Sequence, residues 1–433
     1  MGPDLLRPGD MDSDSMTSTT RVGPARVGII LYGDLTFDSR VRREARTLAA
    51  AGYGVTIACL ADAGDRSDLP PNVTVLVRPL PDSSVVPGAV NPFRAHPRAR
   101  LAVLASGVGW FRRYVANLRA WGRAATAACG SVDIWHVNDL TGLAAVGPFA
   151  DRRTPIIYDI HDLVLETGTA VYLPAPIRRL LGIYERQLVS RVAAIVTVNF
   201  GLAGVLERRF PARRIEVVHN CPDRWEPPDE TAVSRIREAA AIENDAPVVL
   251  YHGVLSAGRG IEQVMDALLL PGLERANLVL MGFGVHHQTY AEMATRPGLA
   301  GRVHLLPAVP PSDLLSWVAS ADVGAVLHPG TRVNDYLKTP NKLFECLAAG
   351  VPVVASDFPL MRTIVLGDPS GPLGVTADPS RPESIAAALR SVLELDPAAA
   401  RSLRQRCLKA ARDRWNWEVE SARLTRLYAD LLP

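Results

Sequence analysis

The chain has 433 residues, room for two or three domains, and its 48% hydrophobic and 21% charged residues exclude a wholly disordered protein. A formal net charge of +2 argues against nucleic acid as a partner, and no apolar run reaches the roughly 18 residues that a membrane span needs. Five scattered cysteines without a CxxC pair (Cys59, Cys129, Cys221, Cys346, Cys407) point to reduced thiols, with neither a disulfide frame nor a zinc site.

Residues 1–24 are polar and lack the apolar core of a secretion signal, so they read as a disordered tail on a cytoplasmic protein. Alternation then begins. Residues 26–32 (RVGIILY) read as a buried strand, and residues 38–51 as a helix with Val41, Ala45 and Leu48 on one face. Further strands are expected at 55–60, 134–137, 156–160 and 194–198, with helical patterns between most of them. Residues 221–230 form a proline-rich hinge linker. The pattern restarts with strands at 247–252, 278–281, 303–306, 323–327 and 352–355. Residues 25–220 and 231–412 are therefore two doubly wound, Rossmann-like α/β units, each with a parallel sheet and helices on both faces. Residues 413–433 carry Trp417, Leu424, Leu427 and Leu431 at helical spacing, which suits a helix docking back on the first unit.

Charge is distributed unevenly. Residues 1–220 carry 26 basic and 20 acidic side chains, whereas residues 221–433 carry 21 and 25. Between residues 83 and 132 there are seven arginines (Arg94, Arg98, Arg100, Arg112, Arg113, Arg119, Arg123), four aromatic residues among them and no acid. Such a segment, 94–123, suits either an anionic membrane surface or an ordinary packed helix with solvated arginines. Of 47 basic residues only Lys338, Lys342 and Lys409 are lysines, and two of these stand four apart in one segment.

That segment, residues 325–357 (AVLHPGTRVNDYLKTPNKLFECLAAGVPVVASD), carries the strongest chemical signal. A strand ends at His328-Pro329, and a helix starts near Thr339, a good N-cap, and Pro340, suited to the first helical position. Free N–H groups and the positive dipole end suit a phosphate there, with Lys342 adding a full charge. Asn341 and Glu345 share a face, where a carboxylate can accept from a ribose diol. The same spacing also fits a surface helix whose Lys342–Glu345 pair is merely solvated.

Lys342-Leu-Phe-Glu345-Cys-Leu-Ala-Ala-Gly350-Val-Pro-Val-Val-Ala resembles the donor-binding signature of the retaining GT-B glycosyltransferases of the family 4 group. Three other stretches agree in register: Asp38-Ser-Arg40-Val-Arg-Arg-Glu-Ala45, Tyr251-His-Gly253 through Arg259-Gly260-Ile261, and Val217-Val-His-Asn220. The resemblance spans residues 26–430 and implies a GT-B fold, two Rossmann-like domains facing across a cleft. It also implies transfer of a sugar from a nucleotide donor to an acceptor hydroxyl with retention, with no metal and no cofactor, the nucleotide-sugar being a substrate. Arg259, Lys342 and the helix start at Pro340 would serve the diphosphate, with Asn341 also on the donor side and Gly33 and Gly253 giving close backbone approach. Glu345 would hold the ribose, and His161 the transferred sugar. Asp38, Arg40, His136, Asn138 and Asp139 are acceptor-side candidates. The sequence departs from the family at Val254, where an arginine is common, at Arg259, where lysine is common, and at Leu337. The family's first glutamate falls on Leu337, and Asp335 is the nearest acid. A nucleotide-sugar epimerase of the same architecture and a non-catalytic binding protein on a degenerate fold are the alternatives.

Several motifs are set aside. Gly33 and the Gly282-Phe-Gly284 turn fall short of a dinucleotide fingerprint. Asp12-Ser-Asp14 lies in the tail, and His286-His287 lacks a ligand partner at suitable spacing.

Overall fold

The computed structural model describes residues 23–81, 100–166, 170, 173–227 and 234–432. Its apolar runs become thirteen strands in two parallel sheets among the described residues. The first contains β1 (Arg26–Asp34), β2 (Gly54–Ala61), β3 (Val73–Val77), β4 (Ile134–Asn138), β5 (Ile156–Ile160), β6 (Ala194–Thr197) and β7 (Arg214–Val217). The second contains β8 (Val248–Val254), β9 (Asn277–Phe283), β10 (Val303–Leu306), β11 (Val323–Val326), β12 (Val353–Ser356) and β13 (Gly374–Ala377). Their orders are β3-β2-β1-β4-β5-β6-β7 and β10-β9-β8-β11-β12-β13. The expected architecture of two doubly wound α/β units is therefore what the chain adopts.

Both orders reverse direction at their first strand, between β1 and β4 and between β8 and β11. Connections diverge there and leave a crevice at the carboxyl ends of the strands. The loops from the two crevices meet. The Leu163 N–H donates to Asn334 Oδ1 at 3.1 Å, and Asn334 Nδ2 donates to Asp162 Oδ1 at 2.7 Å. Asn199 Nδ2, past β6, donates to the Leu337 carbonyl at 2.8 Å. The carboxyl edges of the two sheets thus face each other.

The C-terminal helix Trp417–Leu431 packs on the first unit, burying Trp417, Leu424, Leu427 and Tyr428 among Val41, Leu48 and Ile57. Trp417 Nε1 donates to Thr47 Oγ1 at 2.8 Å. Its start is tied to the linker, where the Trp417 N–H reaches the Pro222 carbonyl at 2.8 Å.

The basic segment forms the long helix Arg100–Cys129. Leu118, Trp121 and Ala125 are buried against the first sheet, and Trp121 Nε1 donates to the Arg78 carbonyl at 2.6 Å. Trp121 therefore belongs to the core, while Arg112, Arg113, Arg119 and Arg123 are exposed. Arg94 and Arg98 lie outside the described residues, as does nearly all of the tail. No helix among the described residues is long and apolar enough to cross a membrane.

Candidate functional site

On the first unit, the chain places charges under the crevice. Arg40 lies in the first turn of helix Ser39–Ala50, which Asp38 caps by accepting from the Val41 N–H at 3.0 Å. The Arg40 guanidinium is 2% exposed and clasps Asp159, with Nε to Oδ2 at 2.9 Å and Nη2 to Oδ1 at 3.2 Å. It also lies 2.9 Å from Glu44 Oε1 and donates to the Val218 carbonyl at 2.8 Å. His136 Nε2 stands 3.4 Å from both Asp159 and Glu44, and its Nδ1 meets the Tyr428 hydroxyl of the C-terminal helix at 2.9 Å. Burial pushes the Asp159 carboxyl up, but Arg40 and His161 together hold it well below the usual range. Burial wins at Glu44, whose carboxyl is raised despite Arg40.

His161 directly follows β5 and is about a quarter exposed. Its Nε2 meets Asp159 Oδ2 at 3.0 Å, and its backbone N–H donates to Asp139 Oδ1 at 3.2 Å. Burial disfavours its charge, yet Asp159 and then Asp139 outweigh that and raise the imidazole to about 10. Both ring nitrogens then carry protons, and the one turned from Asp159 is free to donate. Asp139 adopts φ 55°, a left-handed conformation that Asp tolerates better than most residues, and burial raises its carboxyl to about 6.

Among the acceptor-side candidates, the structure moves three into supporting positions. Arg40 and His136 are sealed in the cluster, and Asp38 is a helix cap. Asn138 is also buried, donating to the Ile30 carbonyl at 3.2 Å. Asp139, at the crevice edge beside His161, keeps partial exposure, as does Asp38. Glu44, His136 and Asp159 offer ligand atoms within 4.8 Å of one another, a spacing that could hold a metal ion. The Arg40 guanidinium already fills the cation's place between the two carboxylates.

The second unit builds a different environment. Helix Asn341–Ala348 starts after Pro340, which stands outside it as the cap residue, and no side chain caps it. Thr339 instead accepts from Asn199 Nδ2 at 3.2 Å, so its hydroxyl serves the junction between units. The amphipathic helix buries Leu343, Phe344 and Leu347, which fixes the next positions toward β8. Lys342 is 9% exposed, and its Nζ sits 3.5 Å from the centre of the Tyr251 ring. No carboxylate among the described residues pairs with it. Burial, and then Arg259, lower the ammonium to about 7 despite Glu345. Glu345 Oε2 is held by His252 Nε2 at 2.8 Å, and this contact, with Arg43 and Lys342, keeps the carboxyl low against burial. Asn341 accepts from Asn220 Nδ2 at 2.9 Å, and Asn220 in turn accepts from Arg43. The first helix, the linker and the lysine-bearing helix are thereby joined.

Arg259 rides on the loop after β8, its Nε donating to Ser256 Oγ at 3.3 Å. Gly260 caps the following helix Ile261–Leu268 at φ 76°, where a Cβ would lie 2.7 Å from the Leu327 carbonyl. Glycine is required at that contact. Gly253, at φ 113°, faces open space. Gly33 is different: a Cβ there would meet only Leu31 Cδ1 at 3.4 Å, so the fold alone does not demand glycine.

Lys342, Glu345, Arg259 and Gly253 are thus gathered at one sheet's carboxyl edge, and His161, Asp139 and Gly33 at the other. Sequence reasoning missed Glu44, Asp159 and Tyr428 as parts of the cluster. The available signal was Asp159 itself, an acid inside the otherwise apolar run IIYDI.

Comparisons with known proteins agree with the two-domain fold. The family described as "Glycosyl transferases group 1" matches residues 233–414, and that described as "Glycosyl transferase 4-like domain" matches residues 38–221. The chain is 29% identical over 319 residues to a D-inositol 3-phosphate glycosyltransferase of Xylanimonas cellulosilytica, covering 69% of this chain and 72% of that one. It is 29% identical over 205 residues to a GDP-mannose-dependent alpha-(1-6)-phosphatidylinositol monomannoside mannosyltransferase of Mycolicibacterium smegmatis, covering 46% and 52% of the two. The fold superposes on Anabaena HepE in complex with UDP and glucose with a TM-score of 0.67 at 16% identity, covering 94% of this chain and 100% of that chain. Sucrose-phosphate synthase from Thermosynechococcus elongatus gives 0.66 at 19% identity, with 94% and 99% covered.

Proposed function

Since the chain belongs to the group 1 glycosyltransferases, with a GT-B fold, we propose that it moves a sugar from a nucleoside-diphosphate donor to an acceptor hydroxyl with retention of configuration. One observation carries the donor assignment: Lys342 is a buried cation that lacks a carboxylate partner beside an uncapped helix start. An unpaired buried charge is costly, and a diphosphate relieves that cost.

In this reading Arg259, Lys342 and the Asn341 helix start hold the diphosphate. Glu345, oriented by His252, accepts from the ribose hydroxyls. His161 donates to the transferred sugar, and Asp139 stands beside the acceptor. As the bond from the anomeric carbon to the phosphate oxygen breaks, its electron pair goes to the diphosphate. The acceptor oxygen bonds to the same carbon and gives up its proton to the departing diphosphate oxygen. Charge grows on the leaving group, so cations placed there lower the barrier. These protein cations supply the neutralisation that a metal ion would otherwise give. The acceptor is a glycan, a glycolipid or a small molecule.

A thermal-shift screen with UDP, GDP, ADP and dTDP identifies the base, because a bound diphosphate stabilises the native state by mass action. Incubation with the matching nucleotide-sugar, with and without acceptors, then tests transfer. Conversion of donor without acceptor would mark an epimerase instead, and absence of diphosphate binding would sink the donor site. The exposed row of Arg112, Arg113, Arg119 and Arg123 favours docking at an anionic membrane surface. Vesicle flotation checks this: binding should weaken with salt and fail on neutral lipid.

A further inference from the structure

One buried group near Lys342 has no partner. His328 lies two residues past β11, beside the switch point with β8, and is 2% exposed. Its backbone is pinned from both sides by Ser356, the last residue of β12. The His328 N–H donates to Ser356 Oγ at 2.8 Å, and that hydroxyl donates to the His328 carbonyl at 3.0 Å. The ring's Nε2, by contrast, meets no hydrogen-bond partner among the described residues. Such atoms are rare in folded proteins and call for an explanation.

Its surroundings supply one. Lys342 from helix Asn341–Ala348, Arg259 from the loop after β8 and Lys338 from the loop after β11 all act on the ring. Together with burial, the largest influence, they hold the imidazole well below its ordinary value and therefore neutral. The same loop contact that brings Gly260 against Leu327 sets Arg259's loop beside the end of β11. Lys338 is paired with Asp335 at 3.3 Å, so the unpartnered nitrogen lies beside two cations, Lys342 and Arg259, that lack a carboxylate partner among the described residues.

We propose that His328 is a further member of the diphosphate cradle, donating from Nε2 to a phosphate oxygen of the nucleoside diphosphate. This rests on the donor-site assignment to Lys342 and Arg259. A neutral ring donates from its Nε2–H tautomer, so the contact needs no extra proton. Pinning by Ser356 means that the ring is placed before the ligand arrives, which limits the ordering cost of binding. Neither the ribose nor the base explains the surroundings as well, because two cations without carboxylate partners, Lys342 and Arg259, call for an anion.

The substitutions His328→Leu and His328→Gln separate hydrogen bonding from packing. Gln can place an amide N–H near the position of Nε2, whereas Leu cannot donate. Titration calorimetry on the full chain would use UDP, GDP, ADP and dTDP, the corresponding nucleosides, and inorganic pyrophosphate. His328→Leu should weaken the diphosphate that wild type binds by about tenfold or more, and pyrophosphate similarly, as expected for a lost bond to a charged group. Nucleoside binding should be unchanged, and His328→Gln should stay within about threefold of wild type. If His328→Leu binds diphosphate like wild type, or if His328→Gln loses as much as His328→Leu, the ring only packs and the proposal fails. If wild type binds none of these diphosphates, the donor assignment itself fails and takes this one with it. Should His328→Leu not fold, His328→Gln against His328→Ala gives the same decision.

Discussion

The two sheet edges both bury charge, but in opposite ways. On the first unit, the Arg40 cation sits between Asp159 and Glu44, and His136 and His161 close the ring around them. On the second, Lys342 and Arg259 converge on His328 with no carboxylate to receive them, because Glu345 is already engaged by His252. Burial alone does not mark a binding site. In the proposed reading the paired cluster is a structural frame that aims His161, and the unpaired cradle takes an anion from outside.

The largest effect expected from this contrast is on stability. Asp159→Ala leaves Arg40 buried with only the raised Glu44 beside it, and breaking such a pair costs about 3–5 kcal/mol. Lys342→Met removes a buried cation that has no carboxylate partner, so ligand-free stability should hold or rise. Equilibrium denaturation of the two variants gives the comparison directly. Equal losses would show that both clusters are simply core.

Turnover should reverse the ranking. Lys342→Met loses a charge-assisted contact worth roughly 1.5–3 kcal/mol, about one to two decades, at a group whose negative charge grows in the transition state. The loss should appear in kcat as well as in donor KM. Unchanged kcat would mean that Lys342 binds the ground state and the transition state alike.

Acidity sharpens the point. The folded Lys342 value lies near 7, below its ordinary 10.5, so the unfolded chain binds more protons between those limits. Lys342 therefore makes ligand-free stability rise as pH climbs from about 7 to 10.5, as the cost of a buried charge is relieved. Donor binding has the opposite sign. A diphosphate favours the charged form, so binding takes up a proton, and affinity should fall by up to about tenfold per pH unit above about 7. Lys342→Arg, charged throughout, should flatten that slope in calorimetry across pH 7–9. An equal slope in both proteins would move the proton to another group.

Much of this was legible in the sequence, and the misses share a cause. Strands wholly covered by helices, such as β1, β4, β5 and β8, announce themselves as apolar runs. The unexpected strands β3, β7 and β13 are sheet edges with half-buried sides, and RIEV and GVTA mix polar or small residues into a short segment. Lys342 and Glu345 were legible because the helix's chemistry is local. The burial of Arg40 and His136 was not, since their partners lie 119 and 292 residues away in the chain. No local pattern records such a contact.

The smallest effect is expected at Asp335, where the contrast between paired and unpaired charge is put to its finest test. By the resemblance, Leu337 falls where the family's first glutamate is common, and it faces the first unit. Its carbonyl accepts from Asn199, and a Cβ at Gly201 would come within 3.1 Å of Leu337 Cδ2. Asp335 could replace that acid only if its carboxylate were free to reach the donor sugar. It is not. One oxygen accepts from Lys338 Nζ at 3.3 Å, the other from Thr331 Oγ1 at 3.1 Å, and both partners lie within four residues of it, flanking the short helix Val333–Tyr336. With Asp335 and Lys338 20% and 26% exposed, this is a local pair of the kind worth about 0–1 kcal/mol. Asp335→Asn should therefore leave kcat/KM within about twofold and stability within about 1 kcal/mol. A carboxylate contacting the sugar would instead forfeit about one to two decades in kcat/KM. A drop of that size in steady-state assays would place Asp335 on the donor. The division between charges that hold the fold and charges that hold the ligand would then run through this loop.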